Sequence, residues 1–136
     1  MKIPAKTEYA IKALLELSLH WPKQEPLAIN TIAVRQGIPL KFLTQILLNL
    51  KSLGLVESSR GKQGGYILKK NPARITLADV VGNAIALGAI GKKGGSVVNK
   101  VLSDIDALMV KHLHQTTFED IAKQERALVK TPMYAI

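Results

Sequence analysis

Leu27-Ala28-Ile29-Asn30-Thr31-Ile32-Ala33-Val34-Arg35-Gln36-Gly37-Ile38-Pro39-Leu40, with the apolar-periodic run 41–53 behind it, decides how this chain folds. Ile29, Ile32 and Ala33 share one face of a short helix. Gly37 then supplies a turn residue without a Cβ, free to take positive φ. Ile38 fills the corner between two helices. Pro39 stands at the first turn of the next helix, where its missing N–H costs nothing. Over about 39–53 the periodicity buries Leu43, Ile46, Leu47 and Leu50. At about 100° per residue the opposite face carries Lys41, Thr44, Gln45, Leu48 and Ser52, where side chains of a reading helix enter a major groove. This is the layout of a helix-turn-helix.

Two short strands follow, 55–59 and 66–69, around the loop Arg60-Gly61-Lys62-Gln63-Gly64-Gly65. Its glycines let the chain turn tightly and approach a backbone closely, while Arg60 and Lys62 bring charge suited to phosphates or a narrow minor groove. Each piece by itself is commonplace: many helix pairs turn on glycine, and a glycine-rich hairpin is usually only a hairpin. In this order and spacing they predict a winged helix-turn-helix on double-stranded DNA. Helix 39–53 would enter the major groove and wing 60–66 would meet the minor groove. The contacts expected are Lys41, Thr44, Gln45, Arg60, Lys62, Gln63 and Gly64.

Composition agrees. The 136 residues suit one domain, and the 47% apolar fraction is enough for a core. Only 4% of residues are aromatic, which argues against a stacking platform for single strands. The charge is uneven: residues 1–75 hold 12 Lys/Arg and 4 Asp/Glu, for +8, and residues 76–136 hold 7 and 6, for +1. The basic excess sits in the winged-helix part, as a polyanion partner requires. Cysteine is absent, which excludes disulfides, thiolate metal sites and cysteine nucleophiles. Glu8, Lys12 and Glu16 interrupt the apolar opening, so a secretion signal is not expected. The longest charge-free run, 80–91, falls short of the roughly 20 residues that span a bilayer. A cytoplasmic protein without membrane contact is expected.

The flanks complete the fold. An amphipathic helix over 7–20 turns Tyr9, Ala10, Ala13, Leu14 and Leu17 inward, Trp21-Pro22 ends it, and 23–26 is a polar connector. Ala28 stands where a serine or aspartate cap would serve better, a weakness of ~1 kcal/mol. After a turn at 71–74, Thr76-Leu77-Ala78-Asp79 resembles a capping box and starts a helix to about Leu87. A flexible break follows at 91–95. The long helix 96–115 then sets Val98, Leu102, Ile105, Met109 and His112 at alternating spacings of four and three, a coiled-coil seam. Such a stripe needs cover, either from an identical helix in a twofold homodimer or from the domain itself. Thr117-Phe118-Glu119-Asp120 resembles a second capping box, with a helix to about Arg126 and a loose tail over 128–136. The expected class is mainly α with a small β-hairpin wing. A winged helix-turn-helix, 1–75, joins a helical dimerisation region, 76–136, in one compact chain.

The opening Met1-Lys2-Ile3 with Thr7-Glu8-Tyr9-Ala10-Ile11-Lys12-Ala13-Leu14 resembles that of the bacterial Rrf-two (Rrf2) transcriptional regulators. So do Arg35-Gln36-Gly37-Ile38, Leu53-Gly54-Leu55-Val56, Arg60-Gly61, Gly64-Gly65-Tyr66 and Ile75-Thr76-Leu77-Ala78-Asp79-Val80. The resemblance runs over 1–87 and returns weakly in the last part of the chain. It implies a homodimeric winged-helix transcription factor. By motif position Arg60 is the family's wing arginine, and Lys41 and Thr44 stand in base-facing slots. Familiar members carry a small hydroxyl residue and a glutamate there, so the operator is expected to differ. Well-known members also bind an iron–sulfur cluster through three cysteines ahead of the long helix. Here Ser96 and Asn99 stand near where ligands would be sought, and both are poor iron ligands, so no cofactor is expected.

Catalysis is not expected. His112 and His114 point about 200° apart on a helix and cannot share a metal, and His20 lies at a helix end beside Trp21. No carboxylates pair in an acid/base arrangement. The glycine loop lacks the lysine-hydroxyl pair of a phosphate loop. The first reading is a sequence-specific homodimeric regulator, a repressor more than an activator, answering to an unknown small-molecule or protein effector or to none. The alternatives are a winged-helix protein-interaction module and a non-specific DNA-binding protein that has lost operator specificity. Leu48 suits a protein surface as well as a thymine methyl, while the cations at Lys41, Arg60 and Lys62 favour DNA.

Overall fold

A computed structural model describes residues 3–23, 25–60, 64–82 and 96–130. In chain order the elements are α1 (Ala5–Leu19), α2 (Ile29–Gln36), α3 (Leu40–Ser52), β1 (Val56–Ser59), β2 (Gly65–Leu68), a 3-10 turn (Pro72–Arg74), α4 (Leu77–Val81), α5 (Val97–Gln115) and α6 (Phe118–Lys130). The class is the expected one, mainly helical with a small antiparallel hairpin.

The helix-turn-helix closes as its sequence dictates. Gly37 caps α2 in the left-handed region at φ 64°, and Ile38 N–H donates to Ala33 O at 2.9 Å. Ile38 is buried in the corner. Ala28 is the N-cap of α2 and offers no side-chain acceptor. Pro39 differs from expectation by one position. With ψ at 129° it is the N-cap of α3, and its carbonyl accepts from Phe42 and Leu43 at 3.0 and 3.1 Å. Its ring fixes φ near the helical value, but the backbone enters the helix only at Leu40.

In the hairpin Val56 pairs with Leu68 and Ser59 with Gly65. Leu27 adds a rung: it exchanges two 2.9 Å backbone bonds with Tyr66. A Cβ on Gly65 would overlap the Leu27 carbonyl, so here the glycine's close approach is to the chain's own backbone. The segment that leads into α2 is thereby tied to the base of the wing.

Leu14 of α1, Ile32 of α2, Leu43 and Leu47 of α3, Val56, Ile75 and Phe118 form the centre of the core, each at most 1% exposed. Phe118 comes from α6, so the last helix packs into the core built by the first residues. Backbone bonds from Phe118 N–H to Ile75 O and from Leu77 N–H to Thr116 O, both 2.9 Å, hold that junction. Capping boxes start both helices there, Thr76 with Asp79 and Thr117 with Asp120.

Two helix ends depart from expectation. α4 stops at Val81, where Gly82 takes φ 47°, rather than running to about Leu87; residues 83–87 lie outside the described ones. α6 runs to Lys130, past the expected Arg126 and into the supposed tail at Leu128. Arg126 explains the extra turn: its Nη2 donates to Ser18 O and Leu19 O at 3.3 and 3.1 Å. A cation on the terminal carbonyls of α1 meets the negative end of its dipole and pins α6 there. The break expected at 91–95 and the tail over 131–136 lie outside the described residues.

Candidate nucleic-acid interface

On α3 the division of faces is clean. Leu43, Ile46, Leu47 and Leu50 are buried, and Lys41, Thr44, Gln45, Leu48 and Ser52 are all exposed. Helical twist alone enforces this: a stripe of leucine and isoleucine anchored on α1 turns the polar stripe outward. Several of these side chains are already held. Thr44 Oγ1 donates to Leu40 O at 3.2 Å, and Gln45 Nε2 donates to Asn49 Oδ1 at 3.1 Å. Lys41 Nζ sits 5.0 Å from the centre of the Phe42 ring, which in turn stacks on Tyr9 of α1.

The wing borders this face on one side. Lys51 Nζ donates to Ser58 Oγ at 2.7 Å, tying the end of α3 to β1. Sequence reasoning passed over Lys51, although its place on the last turn beside the hairpin was the available signal. Arg60 is exposed directly after β1, and Gly64 is half-buried directly before β2. Lys62 and Gln63, expected in the same loop, lie outside the described residues. On its other side the face falls into a cleft of about 420 Å³ between α1 and α3, rimmed by Lys6, Lys41, Gln45 and Asn49. Lys6 is a second cation that the sequence reading did not single out.

Between α1 and α2 lies a polar cluster that periodicity did not reveal. Glu16, read from sequence only as an interruption of an apolar stretch, has a side chain 6% exposed. It accepts from Arg35 Nη1 at 3.1 Å and from Gln36 Nε2 at 2.9 Å. Nε2 of His20 lies 3.1 Å from the same carboxylate and 3.0 Å from Arg35 Nη1. Burial alone would raise the Glu16 pKa; hydrogen bonds from Gln36, Arg35 and His20 outweigh it and hold the carboxyl below its ordinary value. The cluster locks the end of α1 to α2. The signal was present in Glu16 and His20 at i, i+4, but the partner across the core was not.

The residues expected to form a dimer seam differ in exposure along α5. Val98 is 65% and Ile105 46% exposed, His112 is exposed, and Leu102 and Met109 are half-buried. Val97, Val101 and Leu108, outside the expected set, are exposed and widen the stripe. Ile105, Leu108, Met109, His112 and Leu113 line an apolar hollow of about 300 Å³. Asp106, the one buried residue of α5 among those described, shares its side of the helix with the half-buried Leu102 and Met109.

An iron–sulfur cluster does not fit this donor set. The chain has no cysteine, and among the described residues no group of His, Asp and Glu could hold a metal ion. Ser96 is the N-cap of α5, its Oγ accepting from Asn99 N–H at 3.1 Å. Its hydroxyl thus serves the helix end.

Comparisons with known proteins place this geometry. The sequence profile of the Rrf2 family, described as an iron-dependent transcriptional regulator, matches residues 3–124. The HTH-type transcriptional regulator IscR of Xenorhabdus nematophila is 31% identical, over 94% of this chain and 83% of that protein. Against another relative, from Rhodobacter capsulatus, the chain spans about half of that protein's length (54%) at 44% identity. Among solved structures, IscR of T. potens superposes with a TM-score of 0.81 at 30% identity, covering 98% of this chain and 95% of that one. CymR (YrzC), the global cysteine regulator of B. subtilis, gives 0.77 at 27% identity, covering 91% and 98%. No described helix is long and apolar enough to cross a membrane. The helix-turn-helix with its hairpin, the relatives and the profile agree: the chain belongs to the Rrf2 family of HTH-type transcriptional regulators and is not an enzyme.

Proposed function

We propose that this protein is a homodimeric, sequence-specific repressor that binds double-stranded DNA through α3 in the major groove and the 60–66 wing at the minor groove. The observation that carries the reading is the exposed row Lys41, Thr44 and Gln45 on α3, with Arg60 exposed at the end of the strand that Lys51 ties to α3. Residues 1–75 supply this face and most of the positive charge; residues 76–136 supply the apolar stripe of α5 that pairs with its twin. Repression follows most simply from occlusion by a dimer seated on two major grooves. The residues do not fit a cluster, so no regulatory step is assigned to iron, and a small-molecule or protein effector takes its place in this reading.

The test is selection of bound duplexes from a random pool at fixed salt. A palindrome with half-sites about 10 base pairs apart is expected. Exposed Val34, Leu40 and Leu48 favour a second reading, a protein-interaction module. That reading requires the selection to return no enriched sequence.

A further inference from the structure

Building on the DNA-reading assignment above, we infer that α3 reads thymine methyl groups through an apolar ridge made by Leu40, Thr44 and Leu48, so that the operator half-site carries A·T pairs beneath it. The three residues are spaced by four and so line up along one side of the helix. Leu40 and Leu48 are 47% and 48% exposed, on the same helix face as Lys41. Phosphates give large apolar side chains nothing to bind; a thymine C5 methyl does.

Thr44 joins the ridge through its hydrogen bond. Its hydroxyl carries one proton, and that proton is donated to Leu40 O at 3.2 Å. The side chain is left with a methyl group and oxygen lone pairs. In the major groove a T·A pair offers the matching set, a methyl on one base and the N6–H donor of the other. A guanine presents only N7 and O6 acceptors there, and Thr44 has no proton left for them. The ridge therefore selects A·T pairs through the methyl contact: the N4–H donor of cytosine can meet the same lone pairs, but a G·C pair carries no methyl. Lys41 and Gln45, on the adjoining side, remain for polar base edges.

The experiment takes the palindrome selected as above and replaces each thymine in turn with deoxyuridine, which removes the methyl and nothing else. Dissociation constants are compared at one salt concentration. At the positions under the ridge each replacement should weaken binding about fourfold, the worth of one buried methyl. Thr44→Ser, which keeps the hydroxyl, and Leu48→Ala should each bind the thymine operator more weakly and lose the discrimination at a different single position. Equal affinity for thymine and uracil at every position overturns the ridge, as does a selected half-site without A·T pairs in the α3 footprint; both leave the DNA-reading assignment standing. A selection that returns no sequence removes both.

Discussion

In α3 the apolar stripe is sealed, with Leu43 and Leu47 wholly buried; in α5 Val101, Ile105 and Leu108 stand 52%, 46% and 67% exposed. Both helices carry leucine and isoleucine at helical spacing. The difference lies in the neighbours. α1, α2 and the hairpin close over α3, whereas the outer face of α5 has no cover within its own subunit among the described residues. Periodicity thus says that a face is apolar but not what covers it. The charge divides the same way, +8 over residues 1–75 and +1 over 76–136, so the basic excess lies with the exposed face of α3 and the near-neutral part with the open stripe of α5.

The largest expected effect comes from putting charge on the open stripe. Ile105→Asp should leave the subunit folded, because the side chain faces outward, yet dissociate the dimer, since burying an unpaired carboxylate costs several kcal/mol. Sedimentation should show monomer, with operator affinity falling at least about a hundredfold as the second half-site contact is lost. A mutant that remains dimeric would move the interface elsewhere. The matching change in the sealed stripe, Leu47→Ala, should instead lower unfolding free energy by about 2–5 kcal/mol in denaturant titration. Stability loss of that size from Leu108→Ala in the monomer would erase the distinction between the two helices.

Arg60→Ala should leave the fold unchanged and weaken operator binding by about 1–3 kcal/mol, as the loss of an arginine from a narrow minor groove does. Unchanged affinity at the same salt would take the wing out of the interface. Smaller still is the acid dependence of the buried cluster. Because the Glu16 carboxyl titrates lower in the folded chain than in the unfolded one, its contribution is complete above the unfolded value, about 4.3. It is lost as pH falls through the lower, folded value. Glu16→Gln should therefore flatten the decline of stability as pH falls below the unfolded value and cost on the order of 1–3 kcal/mol at neutral pH. An unaltered pH profile would show that the cluster does not hold α1 to α2. The smallest effect expected is none: the purified protein should be colourless, and a chelator should leave operator affinity where it was.

Much of this was legible in the sequence because it depends on local chemistry. Gly37 is the only kind of residue at ease at φ 64°, and the burial of Leu43, Ile46, Leu47 and Leu50 follows from their spacing alone. What was not legible depends on residues far apart in the chain. Glu16 needs Arg35 and Gln36, the last turns of α6 need the carbonyls of Ser18 and Leu19, and Gly65 needs the Leu27 backbone. The α5 seam falls between the two. Its apolar pattern was plain, but the burial of Asp106 among those residues was not, since no spacing rule favours a buried carboxylate.

In the proposed dimer the two α3 faces are set by pairing of the α5 stripes, so that they read DNA one helical turn apart. Duplexes bearing two copies of the selected half-site, with centre-to-centre spacing stepped from about 5 to about 15 base pairs at fixed salt, test it directly. The account predicts one sharp affinity maximum near 10 base pairs, with binding half a turn away no tighter than to a single half-site. Affinity that does not depend on the spacing would contradict it.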